Sequence, residues 1–122
     1  MYELSKQFRF DAAHTLDRSV DTAGSRRIHG HSYRAEIVVR GNPDPATGMI
    51  VDLGHLERTL QDIRSSLDHH FLNDIADLGP ATLENLAAWI WRDLVRRGVA
   101  PAKVVVARDA SGDSCLYTGP AQ

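Results

Sequence analysis

The run His29-Gly30-His31-Ser32-Tyr33-Arg34-Ala35-Glu36-Ile37-Val38-Val39-Arg40 carries two signals at once. From Tyr33 onward, apolar Tyr33, Ala35, Ile37 and Val39 alternate with Arg34, Glu36 and Arg40, the period-two pattern of a strand with one buried face. At its start, His29 and His31 are separated by one small residue, so both imidazoles can project toward the same cation. An earlier segment, Phe10-Asp11-Ala12-Ala13-His14, closes on a third imidazole. If the two strands pair, three neutral nitrogen ligands become available. Three His ligands with an open fourth position describe a catalytic rather than a structural zinc, because the vacancy lets the ion polarise a substrate oxygen or a water. An isolated His-x-His is also common on a half-exposed strand, and the pair alone leaves both readings open.

Working outward, residues 2–13 alternate as well (Tyr2, Leu4, then Phe8, Phe10, Ala12) and predict a first strand, antiparallel to the one that follows. Between them, residues 15–28 hold Asp17, Ser19, Asp21, Thr22, Gly24 and Ser25 with little periodicity, and read as a loop long enough to cover a site. Gly41-Asn42-Pro43-Asp44-Pro45 then breaks the second strand. Asp52 is a candidate N-cap for a helix whose apolar face is Leu53, Leu56, Leu60, Ile63 and Leu67, ending near Leu67. Residues 68–81 read as a polar, irregular connection. Thr82 offers a hydroxyl N-cap to a second helix through Leu86, Trp89, Ile90 and Leu94 to Gly98. Two short strands, Val104–Ala107 and Ser114–Tyr117, are joined by the turn formers of 109–113.

This order predicts an α+β fold, a four-stranded antiparallel sheet with two helices on one face, in a single domain over residues 1–122. Four strands leave two edges, and edges in a small sheet are a liability unless another subunit pairs with them. A homo-oligomer is therefore expected, with a ring that continues the sheet between subunits removing the edges.

Composition narrows the function classes. The 122 residues are 43% hydrophobic, enough for one core, and 14 basic against 16 acidic residues give a net charge of -2. Such a balance favours neither nucleic acid nor an anionic membrane as partner. A single cysteine, Cys115, excludes an internal disulfide, which fits a reducing cytoplasm. The first residues lack the apolar core of a signal peptide, and no run approaches 18 apolar residues, so a cytoplasmic protein is expected.

Phe10-x-Ala12-Ala13-His14, His29-Gly30-His31-Ser32-Tyr33, Gly48-Met49-x-Val51-Asp52, Leu67-Asp68-His69-x-x-Leu72-Asn73 and Thr82-x-Glu84-Asn85-Leu86-Ala87 form an ordered series spanning almost the whole chain. The series resembles the 6-pyruvoyltetrahydropterin synthase family, and within it the bacterial 6-carboxytetrahydropterin synthases. That resemblance implies a tunnelling fold (T-fold) whose subunits assemble into a multi-subunit barrel, a homohexamer of two stacked trimers with active sites at subunit interfaces. It also implies zinc held by His14, His29 and His31, and a dihydropterin triphosphate as substrate. A place in reduced-pterin or deazapurine (queuosine) synthesis follows from the same likeness.

The ligand types suit such chemistry. An ion held by neutral imidazoles keeps its full charge and acidifies hydroxyl and C–H groups next to a bound oxygen. Asp68-His69 places a carboxylate beside an imidazole that titrates near neutrality, a candidate proton relay if the side chains meet; a loop-capping Asp over a packed His is the alternative. His70 competes for that role, and His55 reads as a solvated or packing residue. Where the family has a cysteine four residues ahead of His-Gly-His, this chain has Ser25, a far weaker acid than a thiol. Cys115, in the last strand, reads as a small buried hydrophobe. Counting eight residues back from Tyr117, Asp109 falls where the family has a glutamate that clamps the pterin. Glu84 and Thr82 match other pterin-contacting positions, and Arg26 and Arg27 are candidates for the phosphates or plain solvated charges. The readings in play are a zinc-dependent lyase acting on dihydroneopterin triphosphate or a close relative, an aldolase-type cleavage of the pterin side chain, a pterin- or purine-binding homologue without the family reaction, and a structural metal module.

Overall fold

Two thirteen-residue strands, β1 (Tyr2–His14) and β2 (His29–Gly41), form the longest ladder in the computed structural model, which describes residues 1–121. They pair antiparallel in a register that sets Phe10 opposite Tyr33, Ala12 opposite His31 and His14 opposite His29. Strands β3 (Lys103–Arg108) and β4 (Asp113–Tyr117) extend the same antiparallel sheet in the order β1-β2-β3-β4. The α+β expectation and its strand pairing hold.

Alternation decides what each face of the sheet does. Phe10, Ala12, Tyr33, Ala35, Ile37, Val39, Val104 and Val106 are buried on one face, where the Phe10 and Tyr33 rings stack with centroids 4.9 Å apart. Helices α2 (Leu53–Leu67) and α3 (Leu83–Arg96) cover that face with Leu56, Leu60, Ile63 and Leu67 from one and Leu86, Ile90 and Leu94 from the other. Both helices are capped as their sequences require. The Asp52 carboxylate accepts from Gly54 N at 2.8 Å, and the Thr82 hydroxyl accepts from Asn85 N at 3.1 Å. At the far end of α3, Gly98 takes φ +86°, and Val99 N donates back to the Leu94 carbonyl at 2.9 Å, closing the helix with a left-handed residue.

Two stretches expected to be irregular contain short ordered pieces. Residues 15–28 include helix α1 (Thr22–Arg26), and residues 68–81 include a 3₁₀ turn at Leu72–Asp74. Five residues are too few for a periodic apolar face, and so short a helix depends on contacts outside itself. Here Leu16 N donates to the Ser25 carbonyl at 2.8 Å and folds the loop back toward the end of β1. No helix of the described residues is long and apolar enough to cross a membrane.

Candidate metal centre and active site

Past Phe10 and Tyr33 the buried face of the sheet changes chemistry. The next positions of the same parity are Ala12 and His14 on β1 and His31 and His29 on β2, so three imidazoles stand where the apolar core runs out. Their donor atoms converge: His14 Nε2 lies 2.9 Å from His29 Nε2 and 3.0 Å from His31 Nε2, and one ligand nitrogen from each ring falls within 4.8 Å of the others. Hydrogen bonds at the back of the rings fix the tautomers. His14 Nδ1 donates to the Ala81 carbonyl at 2.9 Å, and His29 Nδ1 donates to the Arg27 carbonyl at 2.8 Å. A carbonyl only accepts, so in the neutral rings each Nδ1 carries the proton and each Nε2 presents a lone pair.

Lone pairs that close face each other unfavourably unless something positive lies between them. Protons are poorly suited to that place. Burial lowers the pKa of His14, and burial aided by the nearby Arg108 charge lowers that of His31 to about 4. What fits is a cation with an appetite for imidazole: tetrahedral zinc, with nitrogens at about 2.0–2.1 Å, sets its ligands roughly 3.3 Å apart. Three protein ligands would leave the fourth position to a substrate or a water.

A cavity of about 660 Å³ opens over the histidines. Such a volume is ordinary for a small-molecule site. Its walls come from the 15–28 loop, from the start of α3 and from the junction of β3 and β4. Ser25 lies on this wall, 5% exposed, and its hydroxyl donates to the Thr22 carbonyl at 3.0 Å. Thr82 and Glu84 also line it, so the hydroxyl that caps α3 borders the cavity. Arg26 and Arg27 are on the loop but do not line it. Arg26 is exposed and paired with Asp17 at 2.7 Å, while Arg27 contributes its carbonyl to His29.

The Asp68 and His69 side chains do meet. His69 Nδ1 and Asp68 Oδ2 are 2.7 Å apart. The backbone of Asp11 holds the pair from both sides, its N–H donating to Asp68 Oδ1 at 2.9 Å and its carbonyl accepting from His69 N at 2.7 Å. His69 has φ +58°, a left-handed conformation that few side chains adopt without support. The Asp11 N–H, followed by His69 and then Arg64, holds the Asp68 carboxyl below the usual carboxylate range. The His69 side chain is 78% exposed and borders an adjoining cleft with Gly30, His31 and His70; His31 lines both spaces, but His69 does not line the cavity over the histidines.

Asp109 lies elsewhere. It follows Arg108 at the end of β3 and ion-pairs with Arg34 at 3.0 Å and Arg9 at 3.2 Å. Arg34 and Arg9 belong to the parity opposite to Tyr33 and Phe10, so Asp109 is on the face of the sheet away from the histidines. In its place Arg108 lines the cavity, with Asp113 beside it. The residue eight before Tyr117 is therefore the one that does not line the histidine cavity of its own chain. A readable signal was present: Val104 and Val106 face the core, and two more residues bring the alternation to Arg108, not Asp109.

A family model described as 6-pyruvoyl tetrahydropterin synthase matches residues 3–119. The chain is 33% identical over 125 residues to a 6-carboxy-5,6,7,8-tetrahydropterin synthase of Synechocystis sp., the match covering 98% of this chain and 95% of the relative. To the 6-pyruvoyl tetrahydrobiopterin synthase of Homo sapiens it is 41% identical over 107 residues, covering 75% and 73%. Its fold superposes on the structure of the Caenorhabditis elegans 6-pyruvoyl tetrahydropterin synthase with a TM-score of 0.85 at 22% identity, over 98% and 96% of the two chains.

Proposed function

Because the chain belongs to the 6-pyruvoyl tetrahydropterin synthase family, we propose that it is a zinc-dependent lyase of the 6-carboxytetrahydropterin synthase type, acting on dihydroneopterin triphosphate or a close dihydropterin. The observation that carries the metal-dependent reading is the convergence of the His14, His29 and His31 nitrogens, two of them fixed as lone-pair donors by carbonyls. Bound there, zinc supplies a Lewis acid for an oxygen of the substrate side chain. Thr82 and Glu84 offer the pterin ring a hydroxyl and a carboxylate on one wall, and Arg26 and Arg27 lie on the adjoining loop as candidate phosphate contacts.

Proton transfer is assigned to Asp68 and His69. The carboxylate keeps the His69 Nδ1 proton in place, which leaves Nε2 to take a proton from substrate and return it. Since His69 borders the adjoining cleft and does not line the histidine cavity of its own chain, we assign the pair to the site of a neighbouring subunit, in a homohexamer of two trimers.

Zinc-loaded protein incubated with dihydroneopterin triphosphate, with sulfite to trap aldehydes, tests the assignment. Release of triphosphate and of the remaining two side-chain carbons as acetaldehyde, with a 6-carboxy product, lost on metal stripping and restored by zinc, is the expected result. Binding without turnover would overturn the lyase and leave a pterin-binding homologue. A 6-hydroxymethyl product would mean aldolase-type cleavage. Ser25 gives these second readings their support, because its hydroxyl proton is directed at the Thr22 carbonyl and no side-chain base among the described residues hydrogen-bonds to it. If the lyase reading holds, Ser25→Cys increases turnover.

A further inference from the structure

Arg108 stands in the cavity with no part in the chemistry above. It ends β3 opposite Asp113, and its Nη2 donates to Asp113 Oδ2 at 2.7 Å. Its Nη1 lies 3.2 Å from His31 Nε2, and its Nε is buried with no hydrogen-bond partner among the described residues. The Tyr33 hydroxyl, whose ring packs edge-on against His31 with centroids 5.8 Å apart, is buried and unpartnered in the same way. A guanidinium has only donors, and a phenol donates readily, so these two groups, Arg108 Nε and the Tyr33 hydroxyl, are left without an acceptor among the described residues. A cation on the three Nε2 atoms sharpens the need. It would occupy the His31 lone pair, deprive Arg108 Nη1 of that partner, and set two positive groups near each other with neutral rings between them. Among the described residues, Asp113 is the one carboxylate hydrogen-bonded to Arg108. Glu84 and Asp21 also line the cavity but make no hydrogen bond to it.

We propose that Arg108, with the Tyr33 hydroxyl, receives an oxyanion of the ligand beside the metal, and that this oxyanion is a carboxylate on the pterin side chain. The inference rests on the pterin reading and assigns Arg108 to the carboxylate of the 6-carboxy product, since the substrate named above carries none. Carboxylate and phosphate share the chemistry that a guanidinium recognises. The carboxylate is favoured because the waiting donors are buried, and a triphosphate would have to give up hydration of several charges where a carboxylate gives up one.

Pterin-6-carboxylate and pterin differ only in that group. We expect zinc-loaded protein to bind the former about tenfold more tightly by fluorescence titration, as one charge-assisted hydrogen-bonded pair allows. Arg108→Gln should abolish the preference while pterin affinity changes less than about twofold, and Arg108→Lys, which keeps the charge and loses the planar fork, should retain part of it. Zinc affinity is a second readout. In anion-free buffer Arg108→Gln should bind zinc about tenfold more tightly, because a neighbouring positive charge has been removed. An undiminished preference in Arg108→Gln would overturn the proposal, as would inorganic triphosphate, not the carboxylate, losing affinity in that variant. Should Arg108→Gln fail to fold, a full preference in Arg108→Lys overturns it instead. If neither pterin binds the parent protein, the pterin reading itself fails; the zinc comparison then decides the role of Arg108, and equal affinities would overturn it.

Discussion

His14 and His29 each have one ring nitrogen committed to a carbonyl, and that commitment makes the other nitrogen of each ring a directed lone-pair donor. His31 completes the set from the same strand as His29, so removing it leaves two nitrogens where stable coordination needs three or four. His31→Ala should therefore bring the zinc content of purified protein close to zero, while His55→Ala, an exposed position on α2, leaves it unchanged; metal analysis of the two variants checks both. The same burial makes the metal-free protein sensitive to acid. An unfolded histidine takes up its proton near the ordinary value of 6.5, whereas folded His31 does so only at about 4. Between those values the unfolded chain holds the extra proton, so stability falls as pH drops from 6.5 toward 4 and the loss levels off below that. Melting curves of chelator-treated protein should show this decline, and it should be shallower in His31→Ala; an identical slope in that variant would count against the assignment.

At the scale of elements, the helices are specified locally and the site is assembled from their ends. Thr82 caps α3 through the Asn85 N–H, and Glu84 follows in the first turn, where a negative charge is favoured. Thr82→Ala should cost about 1 kcal/mol in denaturant unfolding, and Thr82→Ser, which keeps the cap, should cost much less. Strand parity works with equal force. Ending β3 on Arg108 puts a guanidinium on the histidine side and Asp109 on the other, against Arg34, which draws the Asp109 carboxyl below its usual range. A count of residues along the chain cannot see that division, but the two-residue repeat can.

For the whole molecule, the proposed hexamer carries its own test. His69 borders the adjoining cleft and does not line the histidine cavity of its own chain, so each proposed site needs two subunits. Co-expressed His31→Ala and His69→Ala chains, each inactive alone, should recover part of the wild-type turnover in mixed oligomers; no recovery would place both groups in service of a single chain. The amino-acid order was enough to give the four strands, the two long helices with their caps, and the three histidines as a candidate ligand set, because alternation, helical periodicity and capping are interactions over a few residues. Helix α1, the support of His69 by Asp11 and the exchange of Asp109 for Arg108 in the cavity were settled only in the folded chain. Each depends on groups brought together from distant positions, where register and backbone hydrogen bonds between strand and loop decide which side chain faces which space.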